Sequence, residues 1–328
     1  MRICVFGAGS VGGYLAGYLS EGGADVCVVA RGGHLAAIRA NGLTVESPDT
    51  TINVKLPASD NTADLGQQDA VIVTVKAPAL SSVAATIAPL LGPDTSVAFP
   101  MNGIPWWYFH AHGGPLDGRR LPRLDPGDAL WRAVTPQRAI GGIFWPAGSV
   151  PAPGIVRLLT GAGRGTVFGE PDGSTTPRIE ALAAAFRAAG LPVTIAPDIR
   201  ELIWQKLAFN LSAGPMCVLT HSPVRATHDE PALIDCSRRM LAEADAIALA
   251  MGYRLDIDPA RVVATNMQLA HRPSILQDLE AGRPMEIDAL YTVPLELARL
   301  MGVATPMLDL LVAMIRLRAR AARLYSPA

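Results

Sequence analysis

Ile3-Cys4-Val5-Phe6-Gly7-Ala8-Gly9-Ser10-Val11-Gly12 decides how the first half of this chain is read. An apolar run of strand character passes straight into GxGxxG, and helical spacing continues from Val11 to Ser20. In that context the first glycine permits a tight turn, the second lets a pyrophosphate approach the backbone, and the third lets helix and strand pack closely. Amides at the start of the helix then face the phosphates. Gly7, Ala8, Gly9, Ser10, Val11 and Gly12 therefore read as the phosphate loop of a dinucleotide cofactor, with a plain glycine-rich turn as the alternative.

Outward from this loop, short apolar runs alternate with helical patterns: Val26 to Val29, His34 to Ala40, Ala70 to Val75, a crossover helix from Ala79 to Leu91, then Ser96 to Phe99. Such an order predicts an α/β, doubly wound parallel sheet, a Rossmann-type dinucleotide-binding domain. Leu43 to Glu46 and Ile52 to Leu56 form a β-rich excursion within it. Strand signals return at Ile140 to Phe144, Ile155 to Leu159, Thr166 to Phe168 and Val193 to Ala196, with a helix from Pro177 to Ala189. From Asp198 onward the strands stop. Helical periodicity fills Arg200 to Leu211, Pro231 to Met251, Pro259 to Leu269, Met285 to Met301 and Met307 to Leu324. The expectation is a Rossmann-type domain over 1–197, an all-α substrate domain over 198–328, and an active cleft between them. Residues 104–136 interrupt the pattern with Trp106, Trp107, Tyr108 and Trp131 among Gly, Pro and Arg. They read equally as a cover over the cleft or as exposed tryptophans at the interface of a homodimer.

A chain of 328 residues, 50% hydrophobic and 17% charged, suits two globular cores. Its formal charge of −1 leaves no basic field to hold nucleic acid. No uncharged apolar run reaches spanning length, so no membrane association is expected. Arg2 and the uncharged run from Ile3 to Tyr18 mimic a signal peptide, but spaced glycines and the lack of a small-residue cleavage box argue against one. Cys4, Cys27, Cys217 and Cys236 show no CxxC spacing, which fits reduced thiols and a cytoplasmic location, and no metal site is read.

The second strand ends in Ala30-Arg31, where an NAD enzyme usually places an acidic residue. The Arg31 fork suits a 2′-phosphate instead, so NADP(H) is preferred, the alternative being a solvated arginine. Lys76 and Asn102 follow two further strands, at the carboxyl ends where open parallel sheets bind ligands. In the helical half, Lys206 and Asn210 share one helix face while Trp204, Leu207 and Leu211 occupy another. Desolvation lowers a lysine's pKa toward neutrality and makes its ammonium a better acid toward a carbonyl oxygen. An exposed helix lysine is the ordinary alternative.

GAGSVGG from Gly7, VAR ending at Arg31, VKAP around Lys76, Asn102-Gly103, WQKLAFN around Lys206, SILQD from Ser274 and EID from Glu286 occur in this order. With them the chain resembles the ketopantoate reductase family over most of its length. That resemblance implies NADPH-dependent reduction of the small 2-keto acid 2-dehydropantoate to (R)-pantoate, toward pantothenate and coenzyme A. It also implies a helical domain of the 6-phosphogluconate dehydrogenase C-terminal-like kind. Carried over by motif, Lys206 would be the proton donor and Glu286 would lie near it at the nicotinamide end. Asn210, Ser274 and Asn102 would hold substrate, and Asn102 and Lys76 would position the cofactor or the lysine. Two positions depart from the family pattern: Gly214-Pro215 and Val224 stand where asparagines are usual. A different 2-keto acid on the same scaffold is therefore the alternative, followed by an NADP-binding protein without turnover.

Overall fold

The computed structural model of the chain describes residues 1–159 and 165–326. It divides into two compact units, one made of residues 1–101 and 106–199, the other of residues 102–105 and everything from Arg200 onward. The strip 102–105 thus belongs with the helical half, although the chain flanking it on both sides belongs to the first unit.

The strands of the first unit are β1 (Arg2–Phe6), β2 (Asp25–Val29), β3 (Leu43–Glu46), β4 (Thr51–Val54), β5 (Ala58–Ser59), β6 (Gln68–Val73), β7 (Leu91–Pro100), β8 (Ala139–Phe144), β9 (Gly148–Ala152), β10 (Ile155–Leu158), β11 (Thr166–Gly169) and β12 (Val193–Ile195). Its helices are α1 (Ser10–Glu21), α2 (Gly32–Asn41), α3 (Leu80–Thr86), α4 (Ala129–Ala133) and α5 (Pro177–Ala188). Eight strands form one sheet in the order β12-β11-β8-β7-β6-β1-β2-β5. All its joins are parallel except β8 with β11. Strand order reverses between β1 and β6, which is where an open α/β sheet leaves a crevice for a ligand. A second sheet, β4-β3-β10-β9, brings the early β excursion together with the later strand at Ile155. Helix α1 presses on it through glycines: a Cβ on Gly13 would stand 2.5 Å from Val156, and one on Gly17 2.5 Å from Val45.

Two expectations are corrected in this unit. The crossover from Ala79 to Leu91 is helical only over α3, because Pro78 and Pro89 sit in flanking 3-10 turns and lack the amide a continuing α-helix needs. The tryptophans read as exposed in the aromatic segment are not: Trp106 and Trp107 turn inward. Trp106, Trp107, Tyr108 and Phe109 are at most 1% exposed, and Trp106 meets Phe99 of β7 edge-on at 5.6 Å. Trp131 is half-buried, with the Arg120 guanidinium 3.2 Å above its ring. A satellite core of this kind contributes burial energy.

The helical unit contains α6 (Ile199–Thr220, whose first residue closes the first unit), α7 (Val224–Thr227), α8 (Pro231–Ala250), α9 (Pro259–Asn266), α10 (Ser274–Glu280), α11 (Val293–Leu300) and α12 (Pro306–Ala321). Helix α6 continues beyond Leu211, through Gly214 and Pro215. Residues 211–218 are all buried, so packing from several sides outweighs the poor helix propensity of that pair. The stretch expected as one helix from Met285 to Met301 begins late and starts with a π-helical turn, Asp288–Thr292, ahead of α11. The Ala289 carbonyl in that turn accepts the Ile104 amide at 3.0 Å, which ties the strip 102–105 to it. Gly103 at φ +78° would place a Cβ only 2.4 Å from the same oxygen.

Candidate functional site

The phosphate loop owes its shape to two glycines. Gly7 adopts φ +106°, and a Cβ there would meet Val75 at 2.7 Å; one on Gly12 would lie 1.9 Å from the Gly7 carbonyl oxygen. Thr74 secures the turn from β6, its hydroxyl donating to the Gly7 carbonyl at 2.6 Å and its amide to Phe6 at 3.0 Å. A Cβ on Gly9 would meet nothing within 4 Å, so the loop backbone is open at the position where a pyrophosphate approaches.

Beside this loop lies a pocket of about 440 Å³, walled by Gly7, Ala8 and Gly9, by Val29 to Arg31 and His34, by Val75, and by residues 150–153. Arg31 caps the start of α2 and is exposed at the rim. His34, the third residue of α2, has a structural task. Its Nδ1 accepts the Gly154 amide at 2.9 Å, so Nε2 carries the proton and donates to the Ala8 carbonyl at 2.7 Å. The ring thereby joins the phosphate loop to the turn after β9. Residues 150–153 had no sequence signal, since a pocket wall supplied by backbone and small apolar side chains carries no motif. Ser10 and Val11 open α1. Lys76 caps the 3-10 turn after β6, and the pocket wall includes its neighbour Val75 but not Lys76 itself. The lining fits part of a dinucleotide: an apolar slot, an open loop backbone at Gly9, and a cation at the rim.

In the helical unit, Lys206, Asn210 and Gly214 recur every fourth residue along α6 and form one stripe. Trp204, Leu207 and Leu211 are fully buried on the opposite side and fix the rotation of the helix. Burial lowers the Lys206 pKa to about 8, opposed by the negative charge of Glu286. Glu286 is itself buried, two residues ahead of the π-helical turn. The Nδ2 of Asn210 is buried with no hydrogen-bond partner among the described residues. Ser274 is exposed at the first position of α10, and the next residue, Ile275, comes within 3.5 Å of where a Gly214 Cβ would be. Asn102 belongs to this unit and is half-buried in the strip against the π-helical turn. Lys206, Glu286, Asn210, Ser274 and Asn102 thus share one unit, while the loop glycines, Arg31 and Lys76 share the other. Val224 is buried and accepts from the neutral His228 ring at 3.0 Å, so it serves the core. No cluster among the described residues has the makeup of a metal site.

Residues 3–106 match the profile described as ketopantoate reductase PanE/ApbA, and residues 198–319 match its C-terminal counterpart. A 2-dehydropantoate 2-reductase of Mesorhizobium japonicum is 43% identical, covering 96% of this chain and 97% of its own. The chain belongs to the ketopantoate reductase family. Among solved structures, a Ralstonia solanacearum protein assigned to the ketopantoate reductases superposes with a TM-score of 0.92 at 40% identity, covering 99% of each chain. The 2-dehydropantoate 2-reductase of Geobacter metallireducens gives 0.84 at 28% identity, covering 97% of this chain and all of its own. As a ketopantoate reductase relative the chain is an oxidoreductase of a dinucleotide-dependent family, with the Rossmann-type unit followed by a helical unit. The first profile match ends at residue 106, where the buried aromatic segment begins.

Proposed function

We propose that this enzyme reduces 2-dehydropantoate to (R)-pantoate with NADPH, and that Lys206 protonates the carbonyl oxygen. The observation that carries the reading is the desolvated ammonium of Lys206 beside the buried carboxylate of Glu286. When bound, the nicotinamide supplies a hydride to C2 of the 2-keto acid. Lys206 holds the proton on Nζ and releases it to the oxygen as negative charge develops there. Glu286 acts on that ammonium, keeping enough of it protonated near neutral pH despite burial. Asn210 and Ser274, on the stripe and at the start of α10, are the groups we assign to the substrate's polar atoms, with Asn102 from the strip beside them.

The loop Gly7 to Gly12 takes the pyrophosphate, and Arg31 at the pocket rim takes the 2′-phosphate that distinguishes NADPH from NADH. Lys76 is assigned to orienting the cofactor from the end of β6. The four free cysteines suit a cytoplasmic enzyme, and among the described residues no helix is long and apolar enough to cross a membrane. Gly214, where the family pattern has an asparagine, supports a second reading, in which a 2-keto acid with fewer polar groups is the better substrate.

The test is a steady-state assay of 2-dehydropantoate with NADPH and NADH in parallel, beside a panel of branched and aromatic 2-keto acids. The expected result is the highest kcat/KM for 2-dehydropantoate with NADPH. Cofactor oxidation with another 2-keto acid and none with 2-dehydropantoate overturns the substrate assignment.

A further inference from the structure

Glycine is a poor residue for the middle of a long helix, and Gly214 stands near the middle of α6 on the same stripe as Lys206 and Asn210. Its neighbour explains it. A Cβ at 214 would stand 2.4 Å from the hydroxyl oxygen of Tyr291, a separation no side chain tolerates. Tyr291 comes from the π-helical turn Asp288–Thr292 and is completely buried, and its hydroxyl has no hydrogen-bond partner among the described residues. Native proteins rarely leave a buried hydroxyl unsatisfied unless a ligand or a water completes it. One helical turn away, the buried Nδ2 of Asn210 is in the same condition. Two unsatisfied donors therefore flank one stretch of α6, and the start of α10 at Ile275 closes on the same glycine.

Two residues of one segment meet two residues of the stripe. Glu286 acts on Lys206 at one end, and Tyr291, from the same segment, abuts Gly214 at the other. Lys206 and Gly214 are separated by about 12 Å of helix axis, with Asn210 halfway. We propose that the Tyr291 hydroxyl is a specificity-determining donor that replaces the side chain missing at Gly214 and receives, together with Asn210, the hydroxyl of the 2-keto acid remote from its ketone. This inference rests on the substrate reading above. It makes Gly214 a requirement of the tyrosine rather than a lost contact. The polar end of the substrate completes both donors, and a substrate lacking that hydroxyl leaves both buried and unmatched.

The test compares 2-dehydropantoate with its deoxy analogue, 3,3-dimethyl-2-oxobutanoate, in the wild type and in Tyr291→Phe, which removes one oxygen and keeps the ring. The wild type is expected to prefer the hydroxylated substrate, and Tyr291→Phe to reduce that preference by about fivefold to tenfold, chiefly through KM, the worth of one neutral hydrogen bond. NADPH affinity and melting temperature serve as controls for folding. A tyrosine that only fills space predicts equal changes for both substrates, and an unchanged ratio overturns the proposal. A wild type that fails to reduce 2-dehydropantoate at all breaks the substrate reading first and this inference with it, and that outcome is visible before any variant is made.

Discussion

The phosphate loop and the lysine stripe differ in what specifies them. Around Gly7 and Gly12 the constraint is steric: atoms of Val75 and Gly7 occupy the space a side chain would need, and no other residue type fits. Along α6 nothing in the backbone requires a lysine at 206. Its meaning comes from burial and from a carboxylate 80 positions later in the chain. One site is built from absent side chains and, on the proposed reading, serves a constant ligand. The other is built from side-chain chemistry on an ordinary helix, where substrate choice can drift while the scaffold stays the same.

That contrast can be broken most severely at Lys206. Lys206→Ala is expected to lower kcat by about 10²- to 10⁴-fold, the usual worth of a positioned general acid, with NADPH affinity by fluorescence titration essentially unchanged. Undiminished turnover removes the lysine from the chemistry. Arg31→Ala separates the units in the opposite sense. Loss of a charge-assisted contact of about 1.5–3 kcal/mol is expected to weaken NADPH by about 10- to 150-fold and leave NADH nearly unaffected. Equal weakening of both cofactors ends the 2′-phosphate assignment.

A smaller effect sharpens the electrostatic half of the comparison. If the Lys206 ammonium is the proton donor, as proposed, the active form is present below its pKa, so kcat/KM for reduction is expected to be level in mildly acidic solution and to decline as pH rises through about 8. Glu286 raises that pKa against the lowering by burial, so Glu286→Gln is expected to move the alkaline limb to lower pH. A limb that stays in place or moves upward contradicts the pairing.

Steric constraints leave marks in a sequence, which is why β1, the glycine loop and α1 were legible from ten consecutive residues. Lys206, Asn210, Ser274 and Glu286 stand out as candidates only through motifs in the right order, because a helix-face lysine has no local signature of its own. The features without a sequence signal arise from tertiary context. The tryptophans of residues 104–136 sit among polar and glycine residues, yet their rings turn into a satellite core against β7. His34 has no neighbour in sequence to reveal that it bridges the Ala8 carbonyl and the Gly154 amide. Pro215 signals a helix end, and only burial on every side carries α6 past it. Tyr291 reads as one more apolar helix residue until its hydroxyl is found against Gly214.

Because Asn102–Pro105 is counted with the helical unit, the polypeptide passes from one unit to the other at three places instead of one. Exchanging halves between two relatives at residue 199 therefore carries a foreign strip into the recipient. The Ile104 amide would then have to find the Ala289 carbonyl in a helix bundle it did not evolve with. The two halves of this enzyme are interlaced along the chain, and sequence change in one is answerable to the other at those few residues.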